Sequence, residues 1–189
     1  MRAYIGAARR VLVWASSQVP LLGTTGSRHF LLLLRSNRSS KMKISTQMAG
    51  TAGEYFVAAE LSRRGHIASI SLKNTCGVDV LVTNDLASHS VTIQCKTTRS
   101  NRRYWMLDKK CEKFFSDNHF YVFVVLGEPL HRPEFHVVPS KFVAEYTTER
   151  HREYHLKPKL DGTPRQDNSL RIFTDEEKKF LEKWELLGL

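Results

Sequence analysis

Residues 91–97 read V-T-I-Q-C-K-T, and this stretch decides how the rest of the chain is organised. Apolar and polar side chains alternate strictly, as in a half-buried β-strand. Alternation sends Val91, Ile93 and Cys95 to one face and Thr92, Gln94 and Lys96 to the other. The first face is core. The second projects Gln94 and Lys96 side by side. Just upstream, residues 78–82 read V-D-V-L-V and form another strand, closed by a turn at Asn84 and Asp85. Two antiparallel neighbours joined through residues 84–90 would bring Asp79, which follows Gly77, towards Gln94 and Lys96.

Working outward, residues 49–64 are rich in Ala, Glu, Leu and Phe and read as a helix that Gly65 stops. Residues 67–72 supply a first strand. Beyond the third strand, the polar, basic stretch 99–103 leads to a short helix expected over 108–115. Residues 120–126 are continuously apolar, as in a strand covered on both faces. A strand over 135–138 follows, then a helix capped by Ser140 that carries Phe142 and Val143. Residues 157–169 have loop composition. A last helix is expected from Thr174, with Glu177 completing a capping box. Its stripe of Phe180, Leu181, Trp184 and Leu187 would pack on the core or serve a partner subunit in a homo-oligomer. The order helix, three strands, helix, strand implies an α/β fold with a mixed sheet flanked by helices.

The 189 residues suit one ordinary domain with an extra terminal segment. With 41% apolar and 25% charged residues, the chain can build a core, which excludes wholesale disorder. No apolar run approaches the roughly eighteen residues of a spanning helix, and no membrane partner is expected. Three cysteines (Cys76, Cys95 and Cys111) are too few for a disulfide scaffold and lack zinc-site pairing, so a reducing, cytoplasmic setting is expected.

The formal charge of +10 is unevenly spread: residues 1–53 hold eight Lys/Arg and no acid, leaving +2 for the remainder. Global charge therefore says little about the folded domain. The Arg-rich, Ser-rich and acid-free segment 1–41 reads as an organellar transit peptide, or as upstream sequence before a true start at Met42 or Met48. Pro20 and its polar neighbours fit a secretory signal less well. The expected division is a dispensable leader over 1–41 and a single domain over 42–189 with a C-terminal helical extension.

Glu54 lies on the stripe of Val57, Ala58 and Leu61, while Glu60, Arg63 and Arg64 fall on a side expected to be solvated. A carboxylate on the inward stripe needs a partner, which a metal ion or Lys96 would supply. Taken singly, each candidate has an ordinary explanation. Glu54 could answer the dipole of a helix's first turn. Asp79 could be a turn residue, Lys96 a solvated edge charge, and Cys95 a small buried hydrophobe. Between residues 96 and 110, Lys96, Arg99, Arg102, Arg103, Lys109 and Lys110 are interleaved with Tyr104 and Trp105. That pattern suits phosphate contacts and base stacking. His151 and His155 share i, i+4 spacing, but without an H-E-x-x-H pattern they read as a solvated face rather than a zinc site.

Together, a helical Glu54, then G-V-D-V-L-V, then I-Q-C-K-T-T over residues 48–126 resemble the PD-(D/E)xK nuclease superfamily. The likeness is to its Q-x-K variants, found in Mrr-like restriction enzymes and in the branch containing group I intron homing endonucleases. The resemblance implies a restriction-endonuclease-like αβββαβ core and a metal-dependent endonuclease that hydrolyses phosphodiester bonds in double-stranded DNA. The alternative is a nucleic-acid-binding module with that fold and weak or lost catalysis. By the match, Asp79 is the metal-binding aspartate, Gln94 fills the (D/E) position, Lys96 is the catalytic lysine and Glu54 the helical glutamate. Val78 stands where the motif has proline. The implied Mg²⁺ site, with Mn²⁺ as a substitute, draws on Glu54, Asp79, the Gln94 amide oxygen and the Cys95 carbonyl. Lys96, Arg99, Arg102, Arg103 and Trp105 would contact nucleic acid. Two carboxylates facing one site also predict that removing Asp79 relieves repulsion with Glu54 and slightly stabilises the metal-free protein.

Overall fold

The computed structural model describes residues 44–72 and 77–189; the expected leader and Cys76 lie outside them. Helix α1 (Thr46–Arg63) begins one turn earlier than its composition suggests, because Ser45 caps it by accepting the Met48 N–H at 3.1 Å. Strands β1 (Ile67–Ile70), β2 (Val80–Thr83) and β3 (Ser90–Thr98) follow as an antiparallel meander. Strand β5 (His119–Val125) lies parallel to β3, and β6 (Glu134–Pro139) pairs antiparallel with β5, giving the sheet order β1-β2-β3-β5-β6. The chain is thus an α/β domain built on a five-stranded mixed sheet.

Every side chain of β5 is buried, and the strand feeds two cores. Phe120, Val122 and Val124 join Val57 and Leu61 of α1, together with Val80, Val82, Val91 and Ile93. Tyr121, Phe123 and Val125 point the other way, towards Val143 of α2 (Ser140–Leu156). Helices therefore cover both faces of the sheet, and the unbroken apolar run is the consequence.

The parallel β3–β5 pair requires a crossover. In place of the helix expected over 108–115, the chain forms strand β4 (Tyr104–Asp108) and a single 3₁₀ turn (Lys109–Glu112). Trp105 and Leu107 face inward while Tyr104, Met106 and Asp108 face out. The partner of β4 is β7 (Leu170–Thr174), which forms a two-stranded antiparallel ribbon with it.

The helix expected from Thr174 does not form. Thr174 ends β7, and the Asp175 carboxylate, expected to lie in a first helical turn, is used elsewhere. It accepts the N–H groups of Lys179 and Phe180 at 2.9 and 3.0 Å and binds His136 Nδ1 at 2.6 Å. Lys178 and Glu182 adopt left-handed backbone angles, φ 58° and 55°, which break a right-handed spiral. The segment runs along β6 instead, with Val137 N–H donating to Phe180 O and Glu182 N–H to Phe135 O. Phe180, Trp184 and Leu187 are buried as their apolar pattern predicts, only without a long helix. Glu60, expected in solvent, is buried beneath Arg64 and Arg132, each 3.0 Å away. Both arginines also bind Glu182, so charges clamp the C-terminal segment onto α1.

Candidate active site

The site grows from the place where β2 begins. Gly77, at φ 72°, turns the chain so closely against the Phe114 ring that a Cβ there would lie 2.6 Å from it. Asp79 is then fixed by three hydrogen bonds. Its N–H donates to Ile93 O at 2.8 Å, its carbonyl accepts the Ser71 N–H at 2.9 Å, and its Oδ2 accepts the Cys95 N–H at 2.7 Å. Beyond the Val80–Ile93 pair, the aspartate side chain thus takes the place of a neighbouring backbone carbonyl. In an extended strand a residue's N–H and C=O point to the same side, so the Cys95 carbonyl faces the same gap as the Asp79 carboxylate.

Val80 and Ile93 pair across the two strands and share the α1 core, which places Gln94 and Lys96 on the opposite face, while Asp79 stands at the bend before β2 with its carboxylate on the Cys95 N–H between them. Gln94 and Lys96 are half-buried, flanked in register by Tyr121 and Phe123 of β5. Burial pushes the Tyr121 hydroxyl well above its usual range, with Cys111 and Asp79 adding to it.

Glu54 approaches from α1 on the other side of the sheet. It is half-buried and sits well inside the helix, so the dipole of a first turn does not account for it. The close approach is made by its neighbour Gly53, where a Cβ would fall 1.9 Å from Thr97 Oγ1 on β3. Burial pushes the Cys95 thiol up; the Asp79 and Glu54 charges reinforce that effect and Lys96 opposes it. Two carboxylates and one ammonium thus act on the Cys95 thiol. The contact of Asp79 with the Cys95 N–H works against the expected gain from removing Asp79, since its loss would strand a backbone donor. Pairing geometry alone could not have disclosed Gly53 and Thr97, because their contact joins a helix to a strand.

Lys96 opens into a cleft of about 940 Å³, walled by Thr46, Ser100, Asn101, Arg102, Tyr104 and Met106. Glu54, Asp79 and Gln94 do not line it. The residues expected to bind nucleic acid divide there. Arg102 is exposed on the wall. Arg103 lines it too, but forks onto Glu134 through two 2.9 Å hydrogen bonds, and the Arg99 guanidinium is taken by Ile44 O. Trp105 cannot stack on a base: it is 3% exposed, donates its indole N–H to Val124 O at 3.2 Å and packs on Phe123. The exposed neighbours Tyr104 and Met106 take the outward positions, as the alternation of β4 dictates.

No protein-family model and no curated protein matches the chain. Among solved structures it is similar to a bacterial homing endonuclease at 15% identity and a TM-score of 0.47, over 77% of this chain and 94% of that one. It is also similar to a Holliday junction resolvase from the hyperthermophilic archaeon Archaeoglobus fulgidus, at 12% identity and a TM-score of 0.44, over 74% of this chain and 95% of that one.

Proposed function

We propose that the protein is a divalent-metal-dependent endonuclease that hydrolyses phosphodiester bonds in duplex DNA, with Glu54, Asp79, Gln94 and Lys96 as its working residues in the PD-(D/E)xK pattern. The observation that carries this reading is the Asp79 carboxylate held on the Cys95 N–H, between Gln94 and Lys96 on one face of β3. The donors fit a hard cation. Carboxylates at Glu54 and Asp79, an amide oxygen at Gln94 and a main-chain carbonyl at Cys95 make an all-oxygen set suited to Mg²⁺ or Mn²⁺. Such an ion supplies an acidified water and offsets phosphate charge.

The chain's own groups do the rest. The Asp79–Cys95 hydrogen bond fixes the carboxylate before any substrate arrives. Lys96, which lines the cleft, would orient the attacking water and face the charge that grows on the phosphate. Arg102, Ser100 and Asn101 offer phosphate contacts along the wall, and Tyr104 offers a stacking face. The neutral Gln94 favours a second reading, a nucleic-acid-binding module with little catalysis.

Incubating plasmid and single-stranded DNA with the protein in Mg²⁺, Mn²⁺ or EDTA separates the two readings. The endonuclease reading expects metal-dependent cleavage that Asp79→Ala abolishes. Binding with no cleavage in any metal would favour the binding module.

A further inference from the structure

A second group of ligating side chains lies away from the cleft. His151 and His155 stand one turn apart on α2, and the loop that follows returns Asp167 to them. His151 Nε2 is 2.8 Å from Asp167 Oδ1 and 3.0 Å from His155 Nε2, and His155 Nε2 is 3.8 Å from the same oxygen. Protons satisfy this triangle only weakly, because a ring nitrogen either donates or accepts and one His151 N–H would have to be split between Asp167 and His155. If His151 Nε2 donates to Asp167, it cannot accept from His155. If it accepts from His155, its lone pair faces a carboxylate. If both nitrogens are protonated, two N–H groups collide. A cation at the centre removes the conflict by accepting all three lone pairs.

We propose that His151, His155 and Asp167 bind a transition-metal ion of the Zn²⁺ class. Two imidazoles and a carboxylate suit Zn²⁺ and Co²⁺ better than Mg²⁺. Bonds of about 2.0–2.1 Å in a tetrahedral site set ligand atoms roughly 3.3 Å apart, and the three separations here bracket that value. Water would complete the coordination. The Arg171 guanidinium, 3.7 Å from the same Asp167 oxygen, is the competing charge, but it is also held by Glu112 and by the carbonyl of Asn168. The ion would clasp the 157–169 loop to α2, just before β7 pairs with the cleft-lining β4.

The test is calorimetry with ZnSO₄ on tag-free, full-length protein, alongside visible absorption with Co²⁺. One Zn²⁺ should bind per chain at this site, with a tetrahedral Co²⁺ spectrum. His155→Ala should weaken Zn²⁺ binding at least about tenfold, since even outer partners of metal-binding histidines are worth 10–100-fold. Asp167→Asn, on an exposed loop, repeats the test without touching the helix. Zn²⁺ should also slow tryptic cleavage after Lys159 and Arg165 in wild type but not in His155→Ala. Equal Zn²⁺ affinity in wild type and both variants, or no binding at micromolar Zn²⁺, would overturn the proposal. Asp79→Ala should leave this site's binding intact, so a failed nuclease reading does not decide it.

Discussion

Replacing Gly53 by alanine tests whether α1 really presses Glu54 towards the site. The added Cβ would fall 1.9 Å from Thr97 Oγ1, 3.1 Å from its Cβ and 3.2 Å from its Cγ2. Swinging the hydroxyl away does not clear the contact, because Thr97 Cβ is itself close and the residue is β-branched. Overpacking of this kind costs about 1–3 kcal/mol. Alanine returns about 1 kcal/mol of helix propensity. The net loss is therefore up to about 2 kcal/mol, a fall of up to roughly 8 °C in thermal midpoint for a chain of this size. Gly50→Ala is the matched control: among the described residues nothing lies within 4 Å of its Cβ, so it should gain up to about 1 kcal/mol. Thr97→Ala should restore most of the loss in the double variant, as Thr97 Oγ1 has no hydrogen-bond partner among the described residues whose pairing would be broken. Circular-dichroism melts read the stability, and Mg²⁺ calorimetry reads the displacement of Glu54 as weakened binding. A Gly53→Ala protein as stable as Gly50→Ala would show that α1 does not approach β3 as described.

Asp79→Ala should lose about 1–3 kcal/mol of stability in metal-free urea melts, because the Cys95 N–H loses its acceptor; a gain would restore the simpler repulsion picture. Arg102→Ala should reduce the salt slope of DNA binding by about one, whereas Arg103→Ala, whose guanidinium is held by Glu134, should change it much less. Trp105→Ala should cost about 3–5 kcal/mol of folding stability, the usual price of emptying a core aromatic site, seen as a collapse of the thermal transition. Burial holds His119 below its ordinary value near 6.5, against an opposing hydrogen bond to Thr92. The protonated imidazole is therefore disfavoured in the fold, so its contribution is complete above that value and is lost as pH falls towards the folded one. His119→Phe should flatten the decline in thermal midpoint below about pH 6.5.

What was legible in the sequence is what local pattern controls. Strict alternation around Ile93 and Cys95 fixed β3, and the unbroken run through Val122 fixed a strand buried on both faces. A short connection between β2 and β3 then made the antiparallel pairing that sets Asp79 beside Cys95, and the shared face of Gln94 and Lys96, a matter of counting. Contacts distant in sequence overrode local signals elsewhere. Strand β7 turns Arg171 inward and finds its partner far upstream, so its pattern looks polar. The capping box at Thr174 lost because His136 and two backbone N–H groups claim the Asp175 carboxylate. Trp105 reads as a base-stacking residue among arginines, yet alternation within β4 sends it into the core and leaves Tyr104 outside. His151 and His155 look like solvated charges until the loop carries Asp167 back to them.

The central claim, that Lys96 acts on a reaction prepared by Asp79, is tested most directly by two readings on one preparation of Lys96→Ala. Plasmid cleavage in Mg²⁺ and the heat of Mg²⁺ binding should be measured beside wild type and Asp79→Ala. A lysine that acts mainly in the transition state predicts that Lys96→Ala keeps its Mg²⁺ heat and its DNA binding but loses cleavage, whereas Asp79→Ala loses both heat and cleavage. Equal cleavage by wild type and Lys96→Ala, or a wild type that binds no divalent ion and cuts no nucleic acid, would contradict the account.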